Sequence, residues 1–399
     1  MSIPDPFSEL IAPFSRRGVD LGLKRIDAAL AELGHPERRF RAVQVAGTNG
    51  KGSIATMVER IATAAGLRCG LYTSPHLLSW CERIRLPDGA IAEDALKELL
   101  QRLQPLALRH DLTPFELITV AAFVAFAEAE VDLAVLAVGL GGRLDATTVH
   151  PRRDVLAFAN IGLDHVEHLG PTLEAIAHEK AAVMHPGAIA VSGPQAPEVT
   201  AVLQAQATAH GCDLRWRAPV AKDTEGGPAL GLHGALQRSN AAVAIAAAEA
   251  LQETGWPITE AAIRRGLQQA RWPGRLERRQ FRGQALLIDG AHNPPAAAAL
   301  RQELQPAQRR WLIGMQRHKD APDLLRHLLE PGDQVRVVAL PEHASWSADE
   351  LAPVLPGIEA GSGDLSENLE WLVQSEGLPV ACGSLYLVAA LLPLLDPTD

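Results

Sequence analysis

The feature that most constrains the fold is a short apolar run, RAVQVA at 41–46, passing straight into GTNGKGS at 47–53. Helical periodicity follows, with Ile54, Val58, Ile61, Ala62 and Ala65 on one face and Gly66 as a stop. Strand, glycine-rich turn and helix in this order make a phosphate cradle. Glycines let successive backbone N–H groups converge on an anion, and the helix N-terminus adds a favourable dipole. Lys51 is placed to reach the outer phosphates and Ser53 to offer a hydroxyl to Mg²⁺. The motif is a variant, because Gly52 separates Lys51 from Ser53.

The rest of the chain repeats the alternation. VDLAVLAV at 131–138 and DVLAFAN at 154–160 read as buried parallel strands, and 172–184 as a helix. Ser239 and Asn240 read as the cap of an alanine-rich helix reaching Leu251. After Trp272, Pro273 and Gly274 a second set begins, with strands at 285–288, 310–313, 334–339 and 378–382. The expected architecture is α/β. It has a P-loop-type ATP-binding domain over 1–272, with a mostly parallel sheet, and a smaller Rossmann-like α/β domain over 273–399.

Composition removes several function classes. Of 399 residues, 37 are Lys or Arg and 47 Asp or Glu, for a formal charge of −10. Non-specific nucleic-acid binding needs clustered cations, so none is expected; Arg275 to Arg282 reads as a solvated strand edge. The most apolar stretch, 118–140, is broken by Glu128, Glu130 and Asp132, and the opening stretch lacks an apolar core. Neither a membrane span nor a secretory signal is expected, and the cytoplasm is the expected location. The four cysteines form no CxxC pair and read as scattered buried thiols.

A loop of this kind usually works with an acidic residue at the end of a neighbouring strand. The candidate strand ends in Leu136, Ala137 and Val138, with no carboxylate; the nearest acids are Asp145 and Asp164.

Taken in order, GTNGKGS (47–53), SPHL (74–77), GLGGRLDAT (139–147), LDHVEHLG (163–170), EKA (179–181), Asn240, PGR (273–275), DGAHNP (289–294) and GS (383–384) resemble the folylpolyglutamate synthase/dihydrofolate synthase family of the Mur ligase superfamily. The resemblance implies an ATP-dependent carboxylate–amine ligase that joins L-glutamate to dihydropteroate or folates through an acyl phosphate. It implies that Gly47, Thr48, Asn49, Gly50, Lys51, Gly52 and Ser53 hold ATP, with Asn240, Arg275 and Asp289 around the nucleotide. Ser53 would bind a first Mg²⁺, and Ser74 and His165 a second. Lys180 matches a lysine carbamylated in the family. His292 and Ser384 match positions near the incoming glutamate, and Phe115 and Asp145 match pterin contacts. A closing cleft between the two domains and a monomeric state are further expectations.

The chain departs from the family at Ala137, where the resemblance calls for a metal-binding Glu. Water, a carbamate on Lys180 or Asp164 would have to complete the coordination. The expectation is ligase function with reduced turnover, the alternative being a catalytically impaired protein that binds folate or ATP.

Overall fold

The computed structural model describes residues 6–397; the first five residues of the opening stretch lie outside the described residues. The chain divides into two compact units. One comprises Met1–Gly231 and Gln237–Arg271, the other Leu232–Leu236 and Trp272–Asp399.

The first unit is built on eight strands: β1 (Arg41–Ala46), β2 (Cys69–Tyr72), β3 (Ile84–Leu86), β4 (Gly89–Ala90), β5 (Leu133–Ala137), β6 (Arg153–Phe158), β7 (Ile189–Ser192) and β8 (Asp213–Trp216). Their order is β4-β3-β2-β5-β1-β6-β7-β8. All neighbours are parallel except the β2–β3 and β3–β4 pairs. Strands β1 and β5 are buried almost throughout, which is why they read as continuous apolar runs. The central strand β1 pairs with β5 on one side and β6 on the other, Val45 lying opposite Ala137 and Ala157. The three strands therefore end level, and the loops after them emerge side by side. Ligands in open α/β sheets gather at such a point, where the strand order reverses.

The apolar stretch 118–140 resolves into the helix Pro114–Glu128, buried on nearly every side, followed by β5. Among the described residues, no helix is long and apolar enough to cross a membrane. Thr172 caps the helix Leu173–Ala181 by accepting from Ala175 N. Ser239 and Asn240, by contrast, do not cap a helix: the helix Ala235–Glu253 begins earlier, and Asn240 is buried within it. Of the four thiols, Cys81 is only half-buried.

The second unit has six strands: β9 (Glu277–Phe281), β10 (Gln284–Ile288), β11 (Arg310–Ile313), β12 (Gln334–Val337), β13 (Ile358–Ala360) and β14 (Val380–Cys382). They lie in the order β13-β12-β11-β14-β10-β9, parallel except for the β9–β10 hairpin. The arginine-rich segment is the edge strand β9. The core centres on Trp311, Ile313, Leu324 and Leu325.

Candidate active site

In the first unit, Gly50 ends the loop with φ +98° and begins the helix Lys51–Ala64. Two demands make glycine necessary there. The backbone is left-handed, and an added Cβ would lie 2.5 Å from Asn240 Oδ1. Asn240 is thus packed against the loop, its amide nitrogen donating to Gln237 Oε1 at 3.0 Å.

The loop amides are not all available. Thr48 N and Asn49 N both donate to Asn160 O, at 2.8 and 3.2 Å, and Thr48 Oγ1 donates to Gly162 O at 3.0 Å. The pairing with Asn160 takes the N–H groups of Thr48 and Asn49, while the helix that begins at Lys51 presents its N-terminal end to the loop.

A small hollow, open to solvent, lies beside the loop, lined by Thr48, Lys51, Gly139, Leu140, Asp164, His165, Leu169 and Lys180. Lys51 Nζ curls back to Gly47 O at 3.0 Å and Thr48 O at 3.1 Å. Lys180 Nζ comes from the opposite wall and donates to the same Gly47 O at 2.9 Å. Burial, helped by the neighbouring Lys51 charge, lowers the Lys180 amine to about 7. A substantial neutral fraction therefore exists near neutral pH.

Ser53 Oγ is buried and has no hydrogen-bond partner. A buried orphan oxygen at a helix N-terminus fits a hard divalent cation, which takes oxygen ligands and usually shares itself with nucleotide phosphates. Asp164 brings a carboxylate to the hollow, and His165 stands beside it, its backbone N–H donating to Asp164 Oδ1 at 3.0 Å. Asp164 carries the signal the sequence offered only as a nearby acid. Among the described residues, no group of three or more His, Cys, Asp and Glu side chains gathers to hold a metal. Ser74 lies half-buried just beyond β2, outside the lining of the hollow, and His168 is exposed.

Asp145 lies behind this wall and is bonded to it. It is buried, and Oδ2 accepts from Gly139 N and Leu140 N at 2.9 and 3.0 Å. Oδ1 accepts from Thr147 N at 3.0 Å and Thr147 Oγ1 at 2.5 Å. Four donors from its own loop engage the carboxylate expected at the pterin. Phe115 is half-buried and lies against Gly139, where an added Cβ would meet Phe115 Cζ at 2.4 Å. It is 6.0 Å, centroid to centroid, from Tyr72.

In the second unit, Asp289 is buried and accepts from Leu276 N and Ala291 N, both at 2.8 Å. Arg275 is its charged neighbour, with Nη1 on Gly274 O at 3.1 Å. His292 Nδ1 bonds Gly290 O at 2.8 Å. Ser384 is buried, and its hydroxyl caps the helix Leu385–Leu391 by accepting from Leu387 N at 3.0 Å. That bond leaves the Ser384 proton as the group able to donate.

Comparison with known proteins matches the chain to a family. Residues 45–212 match the Mur ligase middle domain, and residues 275–352 match the dihydrofolate synthetase C-terminal domain. The chain is 32% identical over 403 residues to the dihydrofolate synthase/folylpolyglutamate synthase of Escherichia coli strain K12, covering 95% of this chain and 92% of that one. It is 36% identical over 344 residues to the Mycobacterium tuberculosis protein of the same name, covering 74% and 69%. Among solved structures, E. coli FolC in complex with DHPP and ADP is similar, with a TM-score of 0.86 and 29% identity over 98% of both chains. A bifunctional folylpolyglutamate synthase/dihydrofolate synthase with Mn, AMPPNP and L-glutamate bound gives 0.83 and 31%, again over 98% of both. The chain belongs to the dihydrofolate synthase/folylpolyglutamate synthase family, ATP-dependent ligases of the Mur type.

Proposed function

We propose that this chain joins L-glutamate to dihydropteroate, to folates or to both, as a cytoplasmic monomer, with ATP activating the acceptor carboxylate as an acyl phosphate. The convergence of Lys51, Lys180 and Asp164 on one hollow beside the glycine loop carries this reading. Relatives bound to ADP and DHPP, and to AMPPNP, Mn and L-glutamate, support it.

A carboxylate is a poor electrophile until its oxygen becomes part of a leaving group. The terminal phosphoryl group of ATP passes to that oxygen and ADP is released. The glutamate nitrogen then attacks the acyl carbon, the carbon–oxygen bond to phosphate breaks, a proton leaves the nitrogen, and inorganic phosphate departs. Phosphoryl transfer of this kind needs positioning and charge stabilisation more than covalent chemistry. Lys51 and the first-turn N–H groups supply positive charge toward the phosphates.

Ser53 with Asp164 would hold Mg²⁺, which supplies charge neutralisation on the nucleotide when bound. Ser74 and His165 are proposed for a second ion. Lys180 is proposed to be carbamylated: its neutral amine adds to carbon dioxide, loses a proton, and becomes an anionic ligand where Ala137 offers no oxygen. Asn240 would set the loop against the nucleotide, Arg275 and Asp289 would engage it, and His292 and Ser384 would receive glutamate. Phe115 is proposed to stack on the pterin, with Asp145 shaping the loop beside it.

Alanine at position 137 favours reduced turnover. Phosphate release with dihydropteroate and with tetrahydrofolate, each with and without L-glutamate, tests this on the native chain and on Ala137→Glu. The expected result is glutamate-dependent release that rises at least about tenfold in Ala137→Glu, by analogy with the cost of losing one preorganised group. Release independent of glutamate in both proteins would refute the reading and favour a binding role.

A further inference from the structure

A chain of buried polar side chains runs behind the hollow, and the ligation chemistry above leaves most of it unused. Arg153, at the start of β6, donates Nη1 to Gln44 Oε1 at 2.6 Å. That oxygen is an acceptor, so the Gln44 amide nitrogen faces the other way. It donates to Thr147 Oγ1 and Thr148 Oγ1, both at 2.9 Å. Thr147 hands the chain on to Asp145, whose second oxygen holds Gly139 N and Leu140 N. Gly139 and Leu140 line the hollow.

The other end of the chain reaches the facing wall. The same Arg153 Nη1 donates to Val183 O at 3.0 Å, just past the helix Leu173–Ala181 that carries Lys180. Arg153 Nε fixes His150 O at 2.8 Å. Burying a guanidinium and a carboxylate apart from each other is costly unless every donor finds its acceptor. Here the Gln44 amide presents an acceptor to one and, through hydroxyls, a donor to the other.

We infer that Gln44 and Arg153 are positioning residues for ligation: they do not line the hollow, and together they fix its Gly139 and Leu140 wall relative to Lys180. The inference rests on the hollow being the phosphoryl-transfer site proposed above.

The test compares Gln44→Met, Arg153→Met and the double variant. Each single change strands a buried polar partner, so melting temperature and kcat both fall. The double change removes both members of the Gln44–Arg153 bond while roughly keeping volume, so the double variant is expected to lose less stability than the two single losses combined, while the tie stays cut. In the double variant, kcat is expected to stay about tenfold to a hundredfold down, the cost of small misplacement, with the ATP KM within about twofold. Recovery of kcat together with melting temperature would overturn the inference.

Should the methionine variants not fold, Thr147→Val cuts the relay at one hydroxyl with little change of shape. Hydrogen exchange of peptides spanning 139–148 then reads the wall directly and needs no turnover. Exchange about tenfold faster than native supports the tie, and unchanged exchange overturns it. Faster exchange in a protein whose native form makes no glutamyl product keeps the tie and contradicts the ligase reading alone.

Discussion

Lys51 and Lys180 donate to the same carbonyl oxygen, that of Gly47, at 3.0 and 2.9 Å. Two ammonium groups on one acceptor repel each other, and this repulsion joins burial in lowering the Lys180 amine to about 7. Replacing Lys51 by Met removes the second charge. In carbon-dioxide-free buffer, Lys180 is then expected to titrate above its native value, as read by NMR of the labelled lysine. The same variant is expected to lose about 10–100-fold in nucleotide affinity, the range for a hydrogen bond to a charged group. An unmoved Lys180 titration would contradict the shared-acceptor account.

Lys180 also makes stability depend on pH. The unfolded chain keeps this proton up to about 10.4, the ordinary lysine value, whereas the folded chain releases it near 7. Between those limits the unfolded state binds more protons, so stability rises with pH; below about 7 the whole cost of the buried charge applies. In carbon-dioxide-free buffer, Lys180→Met is therefore expected to raise the melting temperature most below about pH 7, with the gain shrinking toward pH 10. A gain constant across that window would contradict the buried-amine assignment.

Ser53 is expected to matter for cation use and little for folding. Its hydroxyl is buried without a partner, so deleting an unsatisfied group costs almost nothing. Ser53→Ala should melt within a few degrees of native while requiring roughly tenfold more Mg²⁺ for half-maximal nucleotide binding, the loss of about one hydrogen-bond-sized interaction. Titration of Mg²⁺ against a fluorescent ATP analogue measures this. An unchanged requirement would remove Ser53 from the cation site.

Gly139 and Phe115 offer a handle on the acceptor substrate. A methyl group on Gly139 would lie 2.4 Å from Phe115 Cζ, so the ring must move. Gly139→Ala is expected to cost about 1–3 kcal/mol of stability through overpacking. It should raise the KM for dihydropteroate or folate well above any change in the KM for ATP. Equal changes in both would place Phe115 in the core alone.

Much of this is legible in the sequence. Strands β1, β5 and β6 stood out because central parallel strands are apolar on both faces. The loop was legible because a phosphate cradle needs its glycines in fixed places. Other features depended on contacts that local pattern does not carry. Asn240 resembled a helix cap, yet it is buried against Gly50, a partner far away in sequence, and the alanine-rich helix starts at Ala235 with little amphipathic signal to mark it. Asp145 stands two residues before a threonine N–H, a spacing at which aspartate commonly bonds it, and here that local bond and three others engage the carboxylate. Gln44 is the one polar residue between buried apolar neighbours of β1, and its partners come from β6 and the loop after β5.

The central claim is that the acceptor carboxylate is activated by ATP and then captured by glutamate. Dihydropteroate labelled with oxygen-18 in its carboxylate, incubated with ATP, Mg²⁺ and L-glutamate, tests it by mass spectrometry of both products. The account requires a glutamyl amide formed together with inorganic phosphate carrying one labelled oxygen. Unlabelled phosphate, or ADP formed with no amide, would contradict it.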